Sequence, residues 1–257
     1  MKPAPPGEPL RVLVVEHDQA DADLAIAAIA HAGFVVTARV ADTPEELAAR
    51  LDAGPYNLVL SAYRLPGWTA LDALALLRAR GDDTPLIIVT GTLGDERAVD
   101  CVKQGAADYV IKDNLTRLPV AVGRALEERR LRRAQWASEE RYRRLFESMP
   151  LPLWVLDVRT HAVLAVNAAA VEHYGYGEAE FLALRTDDLR APEDRPAREQ
   201  YRQQLPPDVH ASGTARHRKR DGTVFLAELN GQATSWEGRE AEMGVVTRIG
   251  GPLSGTP

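Results

Sequence analysis

Five short apolar runs set the strongest limit on what this chain can fold into. Val12-Leu13-Val14-Val15, Val35-Val36, Leu58-Val59-Leu60, Leu86-Ile87-Ile88-Val89 and Tyr109-Val110-Ile111 are apolar at consecutive positions and rich in β-branched residues. A strand that is apolar on both faces must be covered on both faces, the situation of a parallel sheet sandwiched between helices. The stretches 21–32, 44–53, 70–80 and 96–104 between these runs have helical patterns, and Gly33, Gly54, Gly81 and Gly105 stand where helix C-termini fall. The alternation predicts an α/β domain with a five-stranded, doubly wound parallel sheet. Functional groups of such sheets gather beyond the C-terminal ends of the strands. That points to Glu16-His17-Asp18, Ser61-Ala62, Thr90 and Lys112.

Residues 118–148 predict one long helix or two stacked ones. Glu128/Arg132, Glu139/Arg143 and Glu140/Arg144 are i,i+4 pairs with the acid N-terminal, the better orientation. Leu126, Leu131, Ala134, Tyr142 and Leu145 form a loose apolar stripe, which fits a coupling helix that also dimerises, against the plainer alternative of a packed surface helix. From Pro152 the pattern changes. Trp154-Val155-Leu156 and Val163-Leu164-Ala165-Val166 predict a strand pair, and Asn167 caps a short helix over 168–173. A helix is expected over 191–204. Antiparallel strands are expected over 214–219, 223–232 and 241–249, with Asp221-Gly222 as a hairpin turn. The second domain is therefore α+β with an antiparallel sheet. The expected division is a disordered N-terminus 1–9, a first domain 10–118, a linker helix 119–148, a second domain 149–249 and a disordered tail 250–257.

Charge narrows the function classes. The chain has 31 Lys and Arg against 37 Asp and Glu, a net charge of −6. Residues 1–118 hold 11 against 17 and residues 119–257 hold 20 against 20, so neither half has the basic excess that binding a phosphate backbone requires. The arginines from Arg124 to Arg144 alternate with glutamates and read as a solvated helix. No apolar run is long enough to span a bilayer, and residues 1–9 lack a secretory apolar region. The single cysteine, Cys101, permits no internal disulfide. The expectation is a cytoplasmic protein that binds neither nucleic acid nor membrane.

The motifs Val14-Val15-Glu16-His17-Asp18, Leu60-Ser61-Ala62-Tyr63-Arg64-Leu65-Pro66-Gly67, Val89-Thr90-Gly91-Thr92 and Asp108-Tyr109-Val110-Ile111-Lys112-Asp113 together make residues 11–133 resemble the receiver domain of two-component response regulators. The resemblance implies phosphoryl transfer from a histidine kinase to an aspartate at the end of the third strand. It also implies a magnesium ion held by acidic residues after the first strand, and a Ser/Thr and a Lys on the phosphoryl oxygens. Here the acceptor position is Ala62, whose methyl group cannot attack phosphorus. Glu16 stands at the first acidic position, but His17 takes the place of a carboxylate that binds the metal directly, and imidazole is a poor ligand for magnesium. Thr90, Tyr109 and Lys112 match the pattern as switch and partner-face positions. An engineered Ala62 would not explain His17, so a naturally degenerate receiver is the reading taken, with magnesium binding weak or absent. A substitute acceptor, Asp18 before His17 or Ser61, is the alternative; Asp18 is expected to face solvent or cap the following helix. Lys112 needs a counter-charge, and Glu16 or Asp18 is the natural one.

Residues 139–249 resemble a PAS domain. The stretches that carry the resemblance are Arg141-Tyr142-Arg143-Arg144-Leu145-Phe146-Glu147, Val166-Asn167-Ala168-Ala169-Ala170, Tyr174-Gly175-Tyr176, Glu180-Phe181-Leu182 and residues 216–223. The resemblance implies an antiparallel sheet and helices around a small cavity that serves a ligand, a cofactor or dimerisation alone. Trp154, Leu156, Leu164, Phe181 and Phe225 are expected to line that interior. No cofactor is expected and the ligand is left unnamed. The flavin-photosensor version needs a cysteine that this segment lacks. Of the histidines that a haem would need, His161 and His217 fall in turn or exposed-strand contexts, and His173 and His210 read as ordinary surface or core residues.

The expected function is a phosphorylation-independent adapter of a two-component pathway, not an enzyme. It would act through protein partners, a histidine kinase or another signalling protein, on a face over 95–104, 109–112 and 118–130, with homodimerisation through the linker helix and the PAS segment. The alternatives are a PAS-based small-molecule sensor with a passive receiver, a receiver phosphorylated at a substitute acceptor, and the input fragment of a hybrid histidine kinase, against which the tail argues.

Overall fold

The computed structural model describes residues 9–91, 101–194 and 213–252. The chain divides into two compact units, the first ending at Trp136 and the second beginning at Ala137. A long helix that starts in the first joins them.

In the first unit the strands are β1 (Leu10–Val15), β2 (Val36–Ala41), β3 (Leu58–Ala62), β4 (Leu86–Thr90) and β5 (Asp108–Ile111). They form one parallel sheet in the order β2-β1-β3-β4-β5. Between them lie α1 (Gln19–His31), α2 (Pro44–Asp52) and α3 (Ala70–Ala79). Residues 101–103 are helical, and the rest of the helix read over 96–104 lies outside the described residues. Side chains that alternate along the strands feed two separate cores. Leu13, Val15, Val59 and Ile88 pack with Leu47 of α2 and Ala73, Leu74 and Leu77 of α3. Val12, Val14, Leu58, Leu60, Ile87 and Val110 pack with Ala22, Ala25 and Ile29 of α1 on the other face. The consecutive apolar runs are thus explained by burial on both sides. β2 differs from its reading at Val35-Val36. Val35 is exposed and the strand runs on to Ala41, because an edge strand is only half covered and its sequence alternates.

The helix α4 (Leu118–Ser148) opens inside the first core, where Leu118, Ala121, Val122 and Ala125 are buried. Arg129, one turn further on the same face, is only 9% exposed. Its guanidinium donates to Tyr56 O (3.0 Å), Asn57 O (3.1 Å), Thr84 Oγ1 and Asp83 Oδ1 (both 2.8 Å). The arginines of this helix are therefore not uniformly solvated. Arg129 is buried because it continues the 118–122–125 face, and it survives burial because its donors are satisfied. The ion pairs Glu128–Arg132 and Glu140–Arg144 are present on the exposed side.

In the second unit β6 (Leu153–Asp157), β7 (Val163–Val166), β8 (Gly213–Arg218), β9 (Val224–Trp236) and β10 (Arg239–Pro252) make an antiparallel sheet in the order β8-β9-β10-β6-β7. Two short helices, α5 (Ala168–Tyr174) and α6 (Glu178–Leu182), follow β7. Gly222 turns the β8–β9 hairpin at φ +89°, a conformation that side chains resist. Of the helix expected over 191–204, Pro192–Asp194 form a short 3-10 turn, and residues 195–204 lie outside the described residues. The tail was expected to be disordered from residue 250, but β10 continues through 250–252, because β9 is long enough to pair with it as far as Phe225. Residues 253–257, like 1–8, lie outside the described residues.

Candidate functional site

The candidate site of the first unit forms where β1, β3, β4 and β5 end. Glu16 follows β1 and is 4% exposed. Its Oε1 accepts the backbone N–H groups of His17 (3.0 Å) and Asp18 (3.1 Å), and its Oε2 accepts Lys112 Nζ at 2.7 Å. Lys112, directly after β5, also donates to Asp21 Oδ2 at 2.5 Å. The Lys112–Glu16 pair expected from sequence is thus present, and Asp21 joins it where Asp18 was the other candidate. Asp18 caps α1, with its Oδ1 accepting Ala20 N at 2.8 Å and Asp21 N at 3.3 Å. His17 is half exposed, with Nδ1 2.9 Å from Glu16 Oε1. Burial by itself would depress the Lys112 ammonium, but the Asp21 and Glu16 carboxylates outweigh it and hold its pKa above the ordinary lysine value.

Opposite these groups Ala62 ends β3 and Thr90 ends β4, both buried. Ser61 is buried and its hydroxyl donates to Ala62 O at 2.9 Å. Tyr109 packs against the core that contains Ala62. The residues present do not fit a magnesium ion. The inner carboxylate, Glu16, already holds an ammonium, its neighbour is an imidazole, and the position facing them is a methyl group. The site is an ion-paired plug between the β1–α1 turn and the end of β5.

The second unit has an aromatic interior. Trp154, Leu156, Phe181 and Phe225 lie in it as expected, with Val163, Val166 and Tyr174. Leu164 does not. It packs on the opposite face of the sheet with Phe146, Leu153, Val155 and Ala241. The register shifts at Val155/Leu156, and it is Val163 and Val166 that point inward. His217 also departs from its exposed-strand reading. It is buried, with Nδ1 2.6 Å from Tyr174 Oη. His161 sits in a turn at φ 58°, but is buried there. His173 is half buried, and burial, with Lys219 nearby, lowers its pKa. His210 lies outside the described residues. Burial also holds the Tyr174 phenol well above its ordinary value. The space beside Trp154, Leu156 and His217 is a cavity of about 30 Å³ among the described residues. That is room for about one or two waters, where ligand sites run to roughly 300 Å³ and more.

Three arrangements were not read from sequence: Asp21 on Lys112, Arg129 against the strand ends, and Asn167 as more than a helix cap. Only Arg129 left a signal, its spacing from Leu118, Val122 and Ala125.

Residues 12–123 match the family described as the response regulator receiver domain, and residues 140–249 match the PAS fold. Curated relatives match the first unit. They include the C4-dicarboxylate transport transcriptional regulatory protein DctD of Rhizobium meliloti, 38% identical over 104 residues, which cover 39% of this chain and 22% of DctD. The acid tolerance regulatory protein ActR of the same organism is 33% identical over 101 residues, covering 39% of this chain and 51% of ActR. The chain thus spans between about a fifth and about half of these relatives. A solved PAS domain of an HTR-like protein from Haloarcula marismortui is 23% identical, with a TM-score of 0.41, over 48% of this chain and 98% of that one. Among the described residues no helix is long and apolar enough to cross a membrane. Both matched segments run into the long helix, and the chain carries a response regulator receiver domain followed by a PAS domain, two domains that point to two-component signalling.

Proposed function

We propose that the chain is a phosphorylation-independent adapter, a pseudo-receiver coupled to a PAS domain, which acts by binding protein partners and has no enzymatic activity. The observation that carries this reading is Ala62 at the acceptor position, facing a pocket whose Lys112 is spent on Glu16 and Asp21. In a working receiver that lysine is available to a phosphoryl oxygen; here it neutralises the acids that would hold the metal, so a single side chain stands in for the cation and fixes the pocket in one state. Magnesium binding is weak or absent on this reading. The partner, a histidine kinase or another signalling protein, meets the face around β5 and the start of α4, where Val102, Ile111 and Val120 are exposed apolar side chains. The α4 helix transmits between the domains and takes part in homodimerisation with the PAS domain, and the protein works in the cytoplasm.

The test is intact mass after incubation with acetyl phosphate and magnesium. The wild-type chain and Ala62→Asp are run beside Ala62→Asp combined with His17→Asp. The wild-type mass should not change, and the double substitution should take up more phosphoryl group than Ala62→Asp alone. A phosphoryl adduct on the wild type would overturn the reading, and peptide mapping should then begin at Asp18.

A further inference from the structure

We infer that Asn167 and helix α5 form the link through which the PAS interior sets the end of α4. The inference rests on the reading of α4 as the transmitting element. The last carbonyls of a helix have no partner within it. At the end of α4, Asn167 supplies one. Its Nδ2 donates to Phe146 O (3.2 Å), Met149 O (3.2 Å) and Leu151 O (3.0 Å). Its Oδ1 accepts Leu153 N (2.9 Å) and Ala170 N (3.0 Å). The side chain is fully buried. One amide therefore closes the C-terminus of α4, opens α5 and holds the first residue of β6. A second tie runs beside it, from Ala168 N to Glu147 Oε2 at 3.1 Å.

The other end of α5 reaches the middle of the domain. Tyr174, its last residue, is fully buried among Trp154, Phe181 and Phe225 and shares the 2.6 Å hydrogen bond with His217 of β8. Its carbonyl accepts Arg220 N at 2.9 Å, next to the β8–β9 hairpin. Seven residues of helix, about 10 Å, separate the two anchored ends, and α5 is too short and too internally bonded to absorb a displacement by bending. Hydrogen bonds weaken steeply once their angle and distance are lost. A shift of Tyr174 therefore reaches Asn167 through α5 and weakens its bonds to the Phe146 carbonyl of α4 and to the Met149 and Leu151 carbonyls just beyond it.

Amide hydrogen exchange on the full chain tests this with Tyr174→Phe, Asn167→Ser and the double variant. Serine still caps α5 but cannot reach the Phe146 carbonyl of α4 or those of Met149 and Leu151. Asn167→Ser should speed exchange at residues 145–148 by about tenfold or more and leave α5 protected. Tyr174→Phe should speed exchange at the same residues by several-fold in the wild-type background and add nothing in Asn167→Ser. The inference is overturned if Tyr174→Phe leaves 145–148 unchanged, or changes it by the same factor in both backgrounds. Should Asn167→Ser not fold, Tyr174→Phe alone decides. Residues 145–148 must then respond more strongly than the β9–β10 hairpin at 236–239, and an equal response overturns the inference. Phosphorylation is read at the first unit alone, so failure of this link and failure of the adapter reading are separate results.

Discussion

Replacing Lys112 with methionine removes the ammonium from the pocket while keeping an unbranched apolar stem of similar length. Glu16 would then be a buried carboxylate held only by two backbone N–H groups and His17. Breaking one side of a buried ion pair costs about 3–5 kcal/mol. The pair here is less isolated, since Lys112 is 22% and Asp21 34% exposed, so the cost should be about 2–3 kcal/mol once water screening is allowed for. Native-state exchange of the β1, β3 and β4 amides in the full chain reads the opening of the receiver unit. It should accelerate by about 30- to 150-fold, taking tenfold per 1.4 kcal/mol. Glu16→Gln should cost less, because Asp21 still holds the lysine. The double variant should be more stable than the sum of the two losses predicts, by about 1 kcal/mol or more. The pH dependence has a definite sign. The folded pKa of Lys112 is raised, so its contribution is complete below the unfolded lysine value of about 10.4 and fades as pH rises through the folded value. Wild type and Lys112→Met should therefore converge in strong alkali. An acceleration under about threefold, or strict additivity in the double variant, would refute the idea that this pair holds the pocket.

Two further outcomes follow from packing and charge. Arg133 first, then Arg129, holds the Asp83 carboxyl well below the usual carboxylate range. Asp83 is about a third exposed, so Asp83→Asn should cost only about 1 kcal/mol. That difference should be present above about pH 4 and narrow as pH falls through the depressed folded value; denaturant titrations at neutral and acid pH check it, and a gap that widens in acid would contradict the assignment. At Gly244 an added Cβ would lie 2.7 Å from Trp154 Nε1 and 3.0 Å from its Cε2. Gly244→Ala should therefore lower PAS-domain stability by about 1–3 kcal/mol and alter the near-ultraviolet circular dichroism of tryptophan; an unchanged melt would show that the ring moves aside without cost.

What sequence made legible, and what it hid, follows from how local each cause is. Strands β1, β3 and β4 were plain because burial on both faces writes apolar residues at every position. β2 was misplaced because an edge strand writes them at every second one. The pocket was readable residue by residue, since Glu16, His17, Ala62, Thr90 and Lys112 each sit at a strand end that the pattern fixes. Asp21 escaped because its role depends on the first turn of α1 folding back toward Lys112, a contact spanning 91 residues. Leu164 falls on the other face because it is itself the extra residue of a bulge, which breaks the alternation along β7 between Ala165 and Val163. His217 looked exposed because Arg216, Arg218 and Lys219 surround it in sequence, yet alternation along β8 turns it inward while its neighbours turn out. Asn167 announces one helix cap in sequence, and nothing local reveals that its amide nitrogen closes a second helix.

The α4 helix has no seam at which the two domains could be recombined freely. Its first turns are core residues of the receiver, and Arg129 reaches back to the strand ends. Its last turn supplies Phe146 to the second unit and a carbonyl to Asn167. A fusion point before residue 130 would strip one domain of its cover, and one beyond Phe146 would strip the other of the ring that packs against Leu153, Val155 and Ala241. Gene shuffling that preserves both folds is confined to the exposed middle of the helix, and a swapped partner domain would have to arrive with its own half of it.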